Sequence, residues 1–178
     1  MDPGVAFLAQ SREYLTAHYL PKILAAVNQL SDADLWWRPQ ESSNSVGNLL
    51  LHLAGNITQW IVGGVGRVPG ARDRAAEFDR REPISRTELL AHFTSAVHAA
   101  DSVLGRTEAA ALVEPRTIQG REVTVFSAIY HAIEHFSMHA GQVLYIAKLR
   151  SGNDLGFYRV EGGITRAAWP GHPTSGSA

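Results

Sequence analysis

Apolar residues return every three or four positions in four separate stretches of this chain, and that spacing commits most of it to α-helix. The first stretch runs from Val5 to Asn28 and carries Leu8, Leu15, Tyr19, Ile23, Leu24 and Val27. Pro21 falls inside it. A proline has no amide hydrogen and clashes with the preceding turn, so a kink or a break is predicted there. The second stretch follows a Ser/Asn cluster able to cap free amides, and carries Val46, Leu49, Leu50, Leu53, Ile57, Trp60 and Ile61 before Gly63-Gly64-Val65-Gly66 ends it. The third opens on Ser85-Arg86-Thr87-Glu88, the spacing of a reciprocal serine–glutamate cap, and continues through Leu89, Leu90, Phe93, Val97 and Leu104. The fourth extends from Thr124 to Leu149.

Between these stretches, Ser31 to Ser45 reads as a polar loop held to the core by Trp36 and Trp37, and a further loop contains Pro115 and Gly120. Glycine, proline and serine accumulate from Ala167 onward, which predicts a loose tail. No strand-like alternation competes. The fold class is therefore all-α, a helical bundle with long loops, forming one domain over residues 1–166 with a tail over 167–178.

Several functional classes are disfavoured by composition. The formal net charge is −1, without a basic stripe of the kind that binds nucleic acid. No apolar run is long enough to span a bilayer, and Met1-Asp2-Pro3-Gly4 has none of the marks of a signal peptide, so a cytoplasmic protein is expected. Cysteine is absent, which excludes disulfides, thiolate ligands and a cysteine nucleophile within the chain. A metal ion would have to be held by nitrogen and oxygen donors.

The histidines carry the most chemistry. His135 and His139 stand four residues apart on the fourth helix, so both imidazoles can address one point. Projected at 100° per residue, the helix has one broad apolar face, a narrow polar face around Glu134, and a third sector. This third sector holds His131, His135, His139 and Gln142 among Ala128, Met138, Ile146 and Leu149. Polar rings on a face that is otherwise apolar need partners, and a metal ion satisfies several at once. His52, on the shoulder of the second helix with Asn56 one turn on, is the natural third ligand. Three histidines with an open position are the pattern of a catalytic metal, whereas structural sites are closed by four protein ligands. Asn56, Gln142 and His131 are the groups placed to orient those ligands, or simply to make ordinary hydrogen bonds within the bundle. His18, His92, His98 and His172 are expected to have no special role. His131-Ala-Ile-Glu134-His135 also fits the H-x-x-E-H motif of inverzincin peptidases. The small chain, the few acidic candidates for a further ligand (Asp154 and Glu161) and the polar-face position of Glu134 argue against that reading.

Leu51-His52-Leu53-Ala54-Gly55-Asn56, taken with His135-Phe-Ser-Met-His139-Ala-Gly-Gln142-Val143, resembles the DinB-like (YfiT-like) superfamily of metal-dependent proteins. Arg72-x-Arg74-x-x-Glu77-Phe78 looks like one uncharacterised branch of it, and the resemblance covers Val5 to Arg150. It implies a four-helix bundle holding one divalent ion, zinc or nickel, on His52, His135 and His139, and a homodimer formed through bundle faces. Members of the superfamily include transferases that use small cellular thiols and thiol-dependent isomerases, while many have no demonstrated reaction. The extra imidazole of His131, and Met138 where an aromatic residue is expected, depart from the pattern without touching the ligands.

An ion on three neutral imidazoles keeps its full charge and lowers the pKa of a water or thiol that reaches it. The expectation is a metal-dependent thiol transferase or hydrolase acting on a small molecule, with a low-molecular-weight thiol as the co-substrate of the former. The alternatives are a non-catalytic metal-binding stress or interaction protein, and a dimerisation module whose histidines merely pack. The Arg72, Arg74 and Glu77 group either anchors a loop by ion pairs or binds an anionic substrate.

Overall fold

The computed structural model describes residues 1–171 and is mostly helical. The first apolar stretch forms α1 (Pro3–Glu13), a π-helical segment (Tyr14–Tyr19) and α2 (Leu20–Val27). Pro21 thus sits in the first turn of α2, where its missing amide hydrogen does least harm, and the wider π turns before it absorb the break. The carbonyl four residues before Pro21 belongs to Ala17, which the proline cannot serve. It accepts instead from the indole nitrogen of Trp169 at 2.8 Å.

Ser31 to Ser45, expected as loop, contains one short helix, α3 (Asp32–Leu35), because Ser31 and Asp34 cap each other reciprocally. Trp36 lies flat over Gly47, where a β-carbon would approach its ring to 2.8 Å, and Trp37 packs beneath Arg150 at 4.6 Å. The second stretch is α4 (Val46–Ile57), started by a reciprocal Ser45–Asn48 cap and continued by a π segment to Val65. The charged stretch folds as α5 (Arg74–Asp79), capped by Asp73. Then come α6 (Arg86–Arg106) and the 27-residue α7 (Val125–Ser151). At α6 the serine half of the predicted cap is formed, with Ser85 Oγ accepting from Glu88 N at 3.2 Å.

The core lies where α1–α2, α4, α6 and α7 turn their apolar stripes inward. Leu15, Ile23, Leu50, Leu53, Ile57, Leu89, Phe93, Val97, Ile129, Phe136 and Val143 are fully shielded there. Phe136 stacks near Phe93 at 5.9 Å and near Tyr19 at 5.7 Å, tying α7 to α6 and to the first helical segment.

Two small antiparallel hairpins correct the expectation of a strand-free chain. β1 (Pro115–Ile118) pairs with β2 (Arg121–Thr124), and β3 (Tyr158–Glu161) with β4 (Ile164–Ala167). Each turns through two residues with positive φ, Gln119-Gly120 and Gly162-Gly163, the geometry that tight hairpins require. Four-residue strands are too short to display an alternation. The residues expected as a tail begin inside this structure: Ala167 ends β4 and Trp169 is buried, while 172–178, including His172, lie outside the described residues. Among the described residues no helix is long and apolar enough to cross a membrane.

Candidate metal centre

α4 and α7 pack against each other, and this brings His52 of α4 to His135 and His139 of α7. One ring nitrogen from each lies within 4.8 Å of the others. His52 Nε2 and His135 Nε2 are 3.1 Å apart, and the His139 ring stands 4.5 Å from that of His135 and 4.9 Å from that of His52. Nitrogens bound to one tetrahedral zinc are about 3.3 Å apart, given bonds of roughly 2.0–2.1 Å, so the closest pair already has nearly that spacing. His52 is buried, while His135 and His139 are partly exposed.

His135 and His139 are pushed towards the neutral form, the one that can donate a lone pair. Burial pushes His135 down to about 3, with the neighbouring charges of His139, His52, His131 and Arg72 adding to the effect. Burial likewise lowers His139, against the opposing hydrogen bond to Gln142.

The groups around the triad are only partly those the sequence suggested. Gln142 Oε1 lies 2.7 Å from His139 Nδ1 and can accept its proton, which would leave Nε2 of that ring bare. His131 does not join the three. It packs on Trp60 at 4.3 Å, with its ring 5.7 Å from His135, and burial lowers its pKa. Asn56 is buried beside the site, and among the described residues its Oδ1 and His135 Nδ1 have no hydrogen-bond partner. Glu134 is exposed, as its polar-sector position predicts, and lines a cleft of about 460 Å³ with Tyr14, Tyr19, Tyr130 and Ser137.

Glu77 is the residue that sequence reasoning missed as a neighbour of the triad. Its Oε2 lies 2.9 Å from His52 Nδ1. Arg72 grips the same carboxylate at two points, Nε to Oε1 and Nη2 to Oε2, both at 2.7 Å, and reaches Gln59 Oε1 at 2.9 Å. Burial alone would raise the Glu77 pKa, but the hydrogen bonds from Arg72 and His52 outweigh it and hold the group below its ordinary value. Of the two roles left open for this charged group, ion pairing is the one the geometry displays.

α5 is fastened to α4 from below by Asn48, whose Nδ2 donates to Glu77 O at 2.8 Å and to Arg80 O at 3.2 Å. Phe78 covers the His52 ring at 4.4 Å. Gly55 leaves the space the carboxylate occupies, since a β-carbon there would fall 2.0 Å from Glu77 Oε1. The only hint of this in the sequence was the Arg72/Glu77 pair itself, which carries no sign of the helix it docks on.

These features fit a divalent ion: three imidazole nitrogen donors on two packed helices, with two of the rings fixed through their far nitrogens. A family model described as a protein of unknown function (DUF1572) matches residues 3–161. No curated protein matches the chain.

Proposed function

The chain belongs to the DUF1572 family, and from that premise we propose that it is a metal-dependent enzyme of the DinB-like kind, a four-helix bundle with zinc or nickel on His52, His135 and His139. The observation that carries this reading is the convergence of three ring nitrogens from two separate helices within 4.8 Å. A divalent ion held there would supply Lewis-acid activation of a water or of a small thiol.

The chain's own residues do the rest. His52, His135 and His139 each offer a lone pair. Gln142 sets the His139 ring, and Phe78 and the α4–α7 packing keep bulk water from the His52 side. Because the chain has no cysteine, a thiol would come from a small-molecule co-substrate, which gives transfer of a thiol; with water the same site gives a hydrolase. The reading also includes a cytoplasmic homodimer. Tyr130, Met138, Tyr145 and Leu149 of α7 are large apolar or aromatic side chains left exposed, and a second copy would cover such a face.

The test begins with metal analysis of protein purified without an affinity tag, from cells replete in zinc and nickel. One ion per chain is expected, lost in His135→Ala. Metal-loaded protein is then incubated with small thiols and electrophiles, and separately with simple esters and amides. Turnover above that of the histidine variant supports the enzyme. A stoichiometric ion with no turnover leaves a non-catalytic metal-binding protein, and absence of metal removes the proposal.

A further inference from the structure

The hydrogen-bonding capacity of the two groups at the buried edge of His52 decides which of its nitrogens carries the proton. A carboxylate only accepts. With Glu77 Oε2 at 2.9 Å, a bare Nδ1 would set a lone pair against an anion, whereas a protonated Nδ1 makes a charge-assisted hydrogen bond. Arg72 Nη2 also lies 3.1 Å from Nδ1 and is the competing donor, but one of its two hydrogens goes to Glu77 Oε2 at 2.7 Å and the other has the His52 carbonyl oxygen at 3.5 Å to serve. The carboxylate itself cannot turn away. Arg72 grips both its oxygens, the absent side chain of Gly55 makes its seat, and Asn48 holds the backbone of Glu77.

We infer that Glu77, clamped by Arg72, is a positioning residue that keeps His52 protonated on Nδ1 and so directs the bare Nε2 at His135 and His139. The Arg72-x-Arg74-x-x-Glu77 stretch thereby acts as an outer arm of the histidine cluster, reaching it from a segment outside the two helices that carry the rings. The proton assignment stands on the hydrogen bonds alone. Its consequence for metal affinity rests on the function proposed above.

The experiment uses the full chain, labelled with nitrogen-15 and stripped of metal. Long-range proton–nitrogen correlation spectra of the His52 ring should show Nδ1 protonated and Nε2 bare; a proton on Nε2 overturns the inference. The matching variant is Arg72→Leu together with Glu77→Leu, which removes both charges at once and leaves neither buried alone. In that double variant the His52 ring should lose its Nδ1–H preference, and titration with zinc alone should give an affinity about 10–100-fold weaker than that of the natural chain. An unchanged ring proton with unchanged zinc affinity overturns the assignment of Glu77. Failure of any form of the chain to take up zinc would instead sink the metal reading, and the ring spectra would still decide the part played by Glu77.

Discussion

Replacing Gly55 with alanine is the sharpest test of how tightly the outer arm is seated. The new β-carbon would lie 2.0 Å from Glu77 Oε1 and 2.9 Å from Arg72 Nε. The carboxylate oxygen must retreat by about 1 Å to reach even the closest contacts that side chains tolerate, and a straight retreat stretches its 2.7 Å bond to Arg72 to about 3.1 Å, the far end of the hydrogen-bond range. Both partners are largely buried, with side chains 8% and 10% exposed, so solvent does little to replace what is lost.

A hydrogen bond to a charged group contributes about 1.5–3 kcal/mol, whereas alanine in place of glycine inside a helix contributes roughly 1 kcal/mol in the other direction. The helix term is removed by comparison with Gly141→Ala on α7, where a β-carbon meets nothing within 4 Å. Urea denaturation followed by circular dichroism should find Gly141→Ala more stable than the natural chain. Gly55→Ala should fall below the Gly141 variant by up to about 1.5–3 kcal/mol, the upper figure being reached if the bond is lost outright, through a lower midpoint at a similar slope. Equal midpoints for the two variants would refute the reasoning, because the carboxylate would then have somewhere else to go.

Three further outcomes are expected. Phe93→Ala empties a fully buried position against Phe136 and should cost about 3–5 kcal/mol in the same denaturation assay. The Asp34 carboxylate is held below its ordinary pKa, first by the Ser31 hydroxyl and then by Arg150, so it stabilises the fold above the unfolded-state value near 4 and loses that contribution as pH falls through the folded value. Asp34→Ala should therefore be less stable than the natural chain at pH 7, and the gap in midpoints should narrow on acidification towards pH 2. Zinc at a hundredfold excess over its dissociation constant should stabilise the chain by about 2.7 kcal/mol, reversed by a chelator and missing in His135→Ala.

The long helices were legible because their apolar stripes are long enough to repeat, and His135 and His139 because i and i+4 on one helix always meet. His52 could be reached from its place on the shoulder of the second stripe. The hairpins could not, since Pro115–Ile118 and Tyr158–Glu161 are set by turns at Gln119-Gly120 and Gly162-Gly163 rather than by any repeating pattern. Glu77 stayed hidden for another reason. It meets His52 across 25 residues of chain through a docked six-residue helix, and such a contact depends on where Asn48 fastens that helix rather than on periodicity.

The bond between Ala17 and Trp169 has a consequence for how the molecule is made. It spans 152 residues, so at about 5–20 residues per second a ribosome would release the N-terminal helical segment roughly 8–30 s before the indole that packs on it. Throughout that interval the Ala17 carbonyl lacks its indole donor and is open to water, until the segment that carries Trp169 arrives to cover it.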